Sequence, residues 1–177
     1  MLDKKRINEA QSNLKRYLTE GLIKEIKIKD SRVQNILLNN CHESLKVAEL
    51  LNNGNYSNLW TIVTSYYSMY YAANAVLYGI GYKVGEQISH KVTADALIVY
   101  VMSKLEVSFL EDYEEAKEEA LELSKNRASE LVEDFDRERS KRSRFQYSTT
   151  EMVLKSKAQT SLVRAKKFIA EMEKLLS

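Results

Sequence analysis

The chain contains no proline and only five glycines among its 177 residues, and this scarcity of breakers constrains the fold more than any other feature. Proline and glycine are the residues that most strongly interrupt helices, and much of the remainder consists of good helix formers. The length suits one domain with a sizeable core. Apolar residues recur at helical spacing along most of the chain. We therefore predict an all-α fold, an up-and-down bundle of five to six helices without a sheet.

One long segment, from Leu50 to Tyr82, contains no charged residue, and five of the eleven tyrosines lie between residues 65 and 81. The segment is long enough to span a membrane. However, it holds too many asparagine, serine and threonine side chains for a lipid environment. We predict a helix from Ser57 to Tyr78 with two apolar stripes, which is typical of a helix buried on two sides. It would be the central helix of a bundle, or be shared with a dimer interface. A surface that stacks on nucleotide bases is the alternative.

The other helices follow from apolar spacing and from three possible capping boxes, Ser31 with Gln34, Ser108 with Glu111 and Ser148 with Glu151. The predicted helices cover residues 3–26, 31–53, 90–105, 108–141 and 149–177. No repeat, linker or low-complexity tract interrupts them. We therefore predict a single domain over residues 1–177.

Composition narrows the function classes. The net charge is only +2, so no overall field marks a nucleic-acid-binding protein. The single cysteine, Cys41, cannot form a disulfide within the chain, which fits a reducing compartment. The charged first residues, without an apolar run behind them, predict no signal peptide and a cytoplasmic protein. Two histidines and one cysteine offer no ligand pair at metal-site spacing, so we predict no metal and no cofactor.

His90 is the first candidate functional residue. It follows the glycine-bearing connection GIGYKVGEQIS, residues 79–89, at the start of a predicted helix. A helix N-terminus disfavours a protonated imidazole. A neutral histidine there can act as a base or a hydrogen-bond partner. The alternative is a histidine that only lines the loop.

A basic cluster is the second candidate. Five basic residues fall within residues 137–144, and they are Arg137, Arg139, Lys141, Arg142 and Arg144. Arginine forks suit phosphate groups, and the aromatic ring of Tyr147 can stack on a base. Acidic neighbours offset the upstream arginines, and a charge run at a helix end is often only a solvated surface. We take Arg142, Arg144 and Tyr147 as the candidate ligand-binding residues.

The block of residues 41–81 resembles the core helix pair of the HEPN superfamily. The matching positions are Ser44, Leu45, Ala48, Leu51, Gly54, Tyr56, Tyr66, Tyr67, Met69, Tyr70, Ala72 and Ala73. His90 corresponds to a family-like histidine after the next loop. The run RSRFQY, residues 142–147, resembles the Arg-x-x-x-x-Tyr segment of one prokaryotic HEPN subfamily. The resemblance covers residues 32–177, and residues 1–30 are the least family-like.

This resemblance implies a dimerising helical bundle among nucleotide- and RNA-associated proteins. Many members are metal-independent endoribonucleases that act as toxins or in defence systems, often encoded beside a small nucleotidyltransferase. It therefore implies a homodimer, a nucleotidyltransferase-type partner protein, and a nucleotide or RNA ligand.

The family's catalytic motif, arginine and then histidine after four to six residues, is not intact here. The fifth residue after Arg142 is Tyr147, and a tyrosine with a pKa of about 10 exchanges protons poorly at neutral pH compared with histidine at about 6.5. We therefore favour a nucleotide-, RNA- or partner-binding protein over a nuclease. Two alternatives stay open, an endoribonuclease in which His90 and Arg142 are catalytic, and a purely structural interaction subunit.

Overall fold

The computed structural model describes the backbone of residues 2–137 and 147–176, and the side chains of residues 2–125 and 154–176. Within these ranges the chain forms six α-helices. They are α1 (Lys4–Glu20), α2 (Ser31–Asn53), α3 (Asn58–Gly79), α4 (Ser89–Tyr100), α5 (Val107–Arg137) and α6 (Tyr147–Lys174). The mostly helical architecture confirms the prediction of an all-α fold. The expected absence of a sheet is wrong, because strands β1 (Ile23–Glu25) and β2 (Tyr82–Val84) pair antiparallel.

The tyrosine-rich segment is the central helix, α3. Ser57 caps its start by accepting a hydrogen bond from the amide of Trp60 at 3.3 Å, close to the predicted start of this helix. The helix packs against α2 and α6, and also contacts α4 and α5. Buried side chains therefore lie all around it, from Ile62 and Tyr66 to Leu77. Other helices of the same chain therefore cover both apolar sides of α3.

The first helix is shorter than predicted. Gly21 has a left-handed backbone with φ of 72°, and it ends α1 after Glu20. Glycine takes this conformation without the steric cost that a Cβ would add. The chain then enters β1, where Ile23 is fully buried and pairs with Val84 of β2. The predicted helix to Ile26 is thus wrong beyond Gly21.

The predicted capping boxes at Ser31 and Ser108 are also wrong, because both residues lie inside their helices, and the box of Ser148 with Glu151 involves side chains outside the described part of the chain. At α2 the cap is Asp30, whose Oδ1 accepts a hydrogen bond from the Arg32 amide at 2.9 Å. A carboxylate one residue earlier is thus the N-cap, and it binds the amide of Arg32 instead of the Gln34 amide that a Ser31 capping box would bind.

The fourth helix also departs from its predicted bounds. It begins at Ser89 and has no side-chain cap. It ends at Tyr100 instead of Leu105, and a 3₁₀ turn at Met102–Lys104 follows. His90 therefore occupies the first turn of α4, as the sequence indicated.

Helix α1 is anchored to the bundle by a buried polar network. Asp95 of α4 is fully buried, and its Oδ1 lies 2.6 Å from Nη2 of Arg6. Its Oδ2 accepts hydrogen bonds from the Tyr17 hydroxyl and the Asn13 amide, both at 3.0 Å. Arg6 also pairs with Glu114 of α5. The segment that least resembles the HEPN superfamily is therefore an integral part of this fold.

Among the described residues, no helix combines the length and the apolar character needed to cross a membrane. Within the uncharged segment, most of residues 62–77 lie in the interior of the bundle, while Leu50, Tyr56 and Trp60 are exposed.

Candidate functional site

The aromatic side chains of α3 meet the start of α4 in one cluster. Tyrosines at i, i+1, i+4 and i+5 share a face of an α-helix, and this face points toward the first turn of α4 and the N-terminal part of α5. We call the group the tyrosine–histidine cluster, and it comprises Tyr66, Tyr67, Tyr70, Tyr71, His90 and Tyr113. The imidazole of His90 lies 4.6 Å from the ring of Tyr70, 5.5 Å from that of Tyr66 and 5.6 Å from that of Tyr67, measured between centroids.

One hydrogen bond fixes the histidine in this cluster. The hydroxyl of Tyr66 lies 2.7 Å from Nδ1 of His90. Burial raises the pKa of Tyr66 well above its ordinary value, so the hydroxyl keeps its proton. We assign Tyr66 as the donor and Nδ1 as the acceptor. In that arrangement the neutral ring carries its proton on Nε2.

His90 is held toward its neutral form. Its pKa is lowered by burial first and by the positive charge of Lys117 second. The lowered pKa agrees with the expectation of a neutral histidine at the start of a helix. Its causes differ from the expected one, because the sequence indicated the helix N-terminus and not burial or a lysine on α5.

The cluster has a buried base and a partly buried rim. Tyr66 and Tyr113 are almost fully buried, and Tyr113 stacks on Phe168 of α6 at 5.3 Å. Burial and the neighbouring Tyr66 raise the pKa of Tyr113. Tyr67, Tyr70, Tyr71 and His90 are only partly buried. Solvent therefore reaches an aromatic rim supported by a rigid core.

The other residues predicted for the site cannot be placed beside His90. Arg142 and Arg144 lie outside the described residues. Tyr147 is the first residue of α6, but its side chain is outside the described part. Whether His90 and Arg142 approach each other therefore stays a prediction.

Lys117 is the residue that sequence reasoning did not select for the site. It occupies the inward stripe of α5 together with Tyr113 and Ala120, both of which are buried. Its side chain is 14% exposed, and its Nζ lies 3.7 Å from Oε1 of Glu114. A lysine at an apolar position of a helix was the signal available in the sequence.

A second concave surface lies between α5 and α6. This open cleft has a volume of about 420 Å³ and includes Asp112, Thr160, Arg164 and Lys167 in its lining. Arg164 is already paired, with Asp112 at 3.0 Å and with Glu115 at 2.8 Å. The tyrosine–histidine cluster is the better candidate, since the cleft's arginine is already neutralised by carboxylates.

Among the described residues, no group of three or more histidine, cysteine, aspartate or glutamate side chains is arranged to hold a metal ion. Cys41 is buried, and burial raises the pKa of its thiol to about 12, so it is not a reactive thiolate.

Compared with known proteins, the chain matches no family model, and no curated protein or solved structure is significantly similar to it. The HEPN resemblance therefore rests on the residues that carry it.

Proposed function

We propose that this chain is a HEPN-like helical protein that binds a nucleotide or an RNA strand, and that the rim of the tyrosine–histidine cluster receives a base. The observation that carries the proposal is the Tyr66–His90 hydrogen bond of 2.7 Å, which holds the partly buried imidazole among three tyrosine rings. Such an arrangement supplies flat aromatic faces and one oriented polar edge. Bases require both, since they stack through their faces and hydrogen-bond through their edges.

The stacking groups are the partly buried rings of Tyr67, Tyr70 and Tyr71. Base–aromatic stacking contributes about 1–3 kcal/mol per base and tolerates any sequence, because every base has a π-face. The free Nε2–H of His90 points to a hydrogen bond with an acceptor on the ligand. In this proposal Arg142 and Arg144 contact phosphates, and Tyr147 stacks on a further base.

The direct test is binding of AMP and of a short fluorescent oligoribonucleotide to wild type and to Tyr70→Leu. We expect Tyr70→Leu to lower the affinity ~5- to 150-fold, the equivalent of 1–3 kcal/mol. Tyr56→Leu is the matched control, because Tyr56 is 73% exposed outside the cluster and should leave affinity unchanged. His90→Gln is tested in the same assay, and His42→Gln is its matched control. Equal affinities for Tyr70→Leu and Tyr56→Leu would overturn the proposal.

The basic cluster needs a separate test. Each arginine–phosphate contact that is lost should weaken binding and flatten its salt dependence by about one counterion. We expect this from Arg142→Ala and Arg144→Ala. Tyr147→Ala should weaken binding with little change in the salt slope. Identical slopes and affinities in all four proteins would show that this cluster is a solvated segment with no ligand.

A second candidate function is metal-independent cleavage of RNA. It is favoured by His90 alone, whose neutral imidazole can accept the proton of a 2′-hydroxyl. Because the arginine–histidine motif is broken at Tyr147, we expect the purified protein to cleave RNA weakly or not at all. Robust cleavage that disappears in His90→Ala would establish the enzyme instead.

The biological setting follows from the resemblance and is part of the proposal. It is a cytoplasmic homodimer in a toxin–antitoxin or defence system with a nucleotidyltransferase-type partner. Co-purification with the product of a neighbouring nucleotidyltransferase gene tests the partner. A purely structural interaction subunit is the outcome if no nucleotide, RNA or salt-dependent binding is found.

A further inference from the structure

The central helix α3 is incompletely covered along one narrow side. Over residues 60–78, every side chain of α3 is buried except at five positions. These positions are Trp60, Thr64, Tyr67, Tyr70 and Tyr71. Steps of three and four residues connect them, so they lie on a single face of the helix. We call this the open face of α3, and its three tyrosines form the rim of the tyrosine–histidine cluster.

The open face is aromatic and carries no charge. Four of its five side chains are aromatic, and none is aliphatic. The rings of Tyr67, Tyr70 and Tyr71 lie 5.5–6.3 Å from one another, measured between centroids. They therefore form one continuous aromatic surface beside the imidazole of His90.

Trp60 is a separate aromatic group at the other end of the open face. It is the only tryptophan of the chain, and its side chain is 52% exposed. Within the described part of the chain, no other aromatic ring contacts the indole. A half-exposed indole without a ring neighbour leaves a large flat surface free for a ligand.

Thr64 separates Trp60 from the tyrosines. Its hydroxyl donates a hydrogen bond to the carbonyl of Trp60 at 2.6 Å, so its proton is already used within the helix. Trp60 and Tyr67 are seven residues apart, which corresponds to about 10.5 Å along the helix axis. Stacked nucleotides follow one another at about 3.4 Å, so this distance matches about three nucleotide steps. One nucleotide therefore reaches only one end of the open face.

We propose that the open face of α3 is a binding track for single-stranded RNA, with one base on the tyrosine rim and another on Trp60. The inference rests on the proposed function and decides between its two ligands, in favour of a strand of about four nucleotides over a mononucleotide. The strand is single, because only unpaired bases offer their faces to aromatic side chains. Since the open face is uncharged, affinity along it comes from stacking and tolerates any sequence.

The competing occupant of the open face is a second copy of this chain. Protein interfaces are also enriched in tryptophan and tyrosine. However, helices that pack against each other interdigitate mainly aliphatic side chains, and the open face has none. The exposed aliphatic side chains Ile36, Val47 and Leu50 belong to α2 instead. The composition of the open face therefore favours bases as the ligand.

The first measurement uses the fluorescence of the wild-type protein. Because Trp60 is the only tryptophan, all indole emission comes from the open face. We expect tetranucleotides of adenosine and of uridine to quench this emission, because a base stacked on an indole quenches it. AMP at concentrations that saturate the rim should leave it unchanged. Tetranucleotide binding without quenching would overturn the inference.

The same signal tests the second copy. Dimerisation through another surface leaves the emission of Trp60 independent of protein concentration. A blue shift that grows with protein concentration in the absence of RNA would show that a second copy covers Trp60, and it would exclude the RNA track.

The second measurement is the affinity of Trp60 variants for the adenosine tetranucleotide and for AMP. Trp60→Leu should weaken tetranucleotide binding ~5- to 150-fold, the equivalent of one stacked base, and change AMP affinity less than about twofold. Trp60→Phe keeps a ring and should retain most of the affinity. Tyr56→Leu removes an exposed ring outside the open face and should behave as wild type. No charge is removed, so the salt dependence should be the same in all of these proteins.

The outcomes separate this inference from the proposed function. If AMP and the tetranucleotide bind with equal strength and Trp60→Leu matches Tyr56→Leu, the track is wrong and the proposed function stands. If neither AMP nor a tetranucleotide binds, both are wrong. If Trp60→Leu does not fold, the quenching of the wild-type protein decides, since that measurement needs no variant.

Discussion

At the scale of single residues, the Tyr66–His90 pair links the bundle interior to its surface. The hydroxyl is buried and the imidazole is half-buried, so the hydrogen bond between them satisfies a polar group that water cannot reach. The same bond fixes the orientation of the imidazole.

His90 should make stability depend on pH. Its pKa is lowered in the folded protein relative to about 6.5 in the unfolded chain, so the unfolded chain binds more protons in acid. The contribution of His90 is therefore fully present above about pH 6.5 and is lost as the pH falls through the folded pKa. Urea unfolding between about pH 7 and 5 should show a shallower loss of stability in His90→Gln than in wild type. Parallel profiles would contradict this.

Removing the buried hydroxyl should be costly. Tyr66→Phe leaves Nδ1 of His90 without its donor, and we expect the free energy of unfolding to fall by about 1–2 kcal/mol. Tyr56→Phe removes an exposed hydroxyl and should change stability by less than about 0.5 kcal/mol. Chemical denaturation of both variants gives the comparison. A Tyr66→Phe protein as stable as Tyr56→Phe would show that the hydrogen bond contributes nothing net.

At the scale of elements, the loop before α4 carries unfavourable backbone geometry. Ile88 has a φ of 43°, although a β-branched side chain disfavours the left-handed region. It immediately precedes Ser89 and His90, and its side chain is 53% exposed. Ile88 therefore adopts an unfavourable backbone conformation just before α4, and burial of its side chain contributes little to offset that cost.

Ile88→Asn should stabilise the protein by about 0.5–1.5 kcal/mol, because asparagine tolerates the left-handed region better than a β-branched residue. Ile28→Asn is the matched control. Ile28 is 91% exposed and is not among the residues with positive φ, so we expect no gain there. Thermal unfolding of both variants is the measurement. Destabilisation by Ile88→Asn would mean that the isoleucine side chain makes contacts that outweigh its backbone cost.

At the scale of the whole molecule, the network around Asp95 ties three helices together. Arg6, Asn13 and Tyr17 come from α1, Asp95 from α4 and Glu114 from α5. Nη1 of Arg6 is buried without a hydrogen-bond partner in the described structure. The network therefore depends on each remaining contact.

Asp95→Ala should destabilise the fold by about 3–5 kcal/mol, because it removes one partner of a buried ion pair and orphans two hydrogen-bond donors. Glu49→Ala breaks the exposed pair of Glu49 with Lys166, whose atoms lie 2.6 Å apart. Exposed pairs contribute about 0–1 kcal/mol, so this control should stay near wild type. Denaturant titrations followed by circular dichroism report both values. Similar losses in the two variants would contradict a central role for Asp95.

The homodimer is a prediction at this scale. The two-sided burial of α3 is accounted for by α2, α4, α5 and α6 of the same chain, so the prediction now depends on the family resemblance. Sedimentation at micromolar concentration should show a dimer. A monomer under these conditions would count against both the dimer and the resemblance that implies it.

The sequence by itself determined the helical class and the place of the tyrosine-rich helix. Helix period and the scarcity of proline and glycine are local properties, and local hydrogen bonds are what form an α-helix. The cap at Ser57 and the presence of His90 in the first turn of α4 were predictable for the same reason.

Only the tertiary structure decided which residues meet. The pairing of β1 with β2 joins segments far apart in sequence, and no local pattern predicts such a partner. The same holds for Tyr66 with His90 and for Asp95 with Arg6. Lys117 was visible in the sequence as a charge on an apolar stripe. It shares the carboxylate of Glu114 with Arg6, which lies more than a hundred residues earlier in the chain.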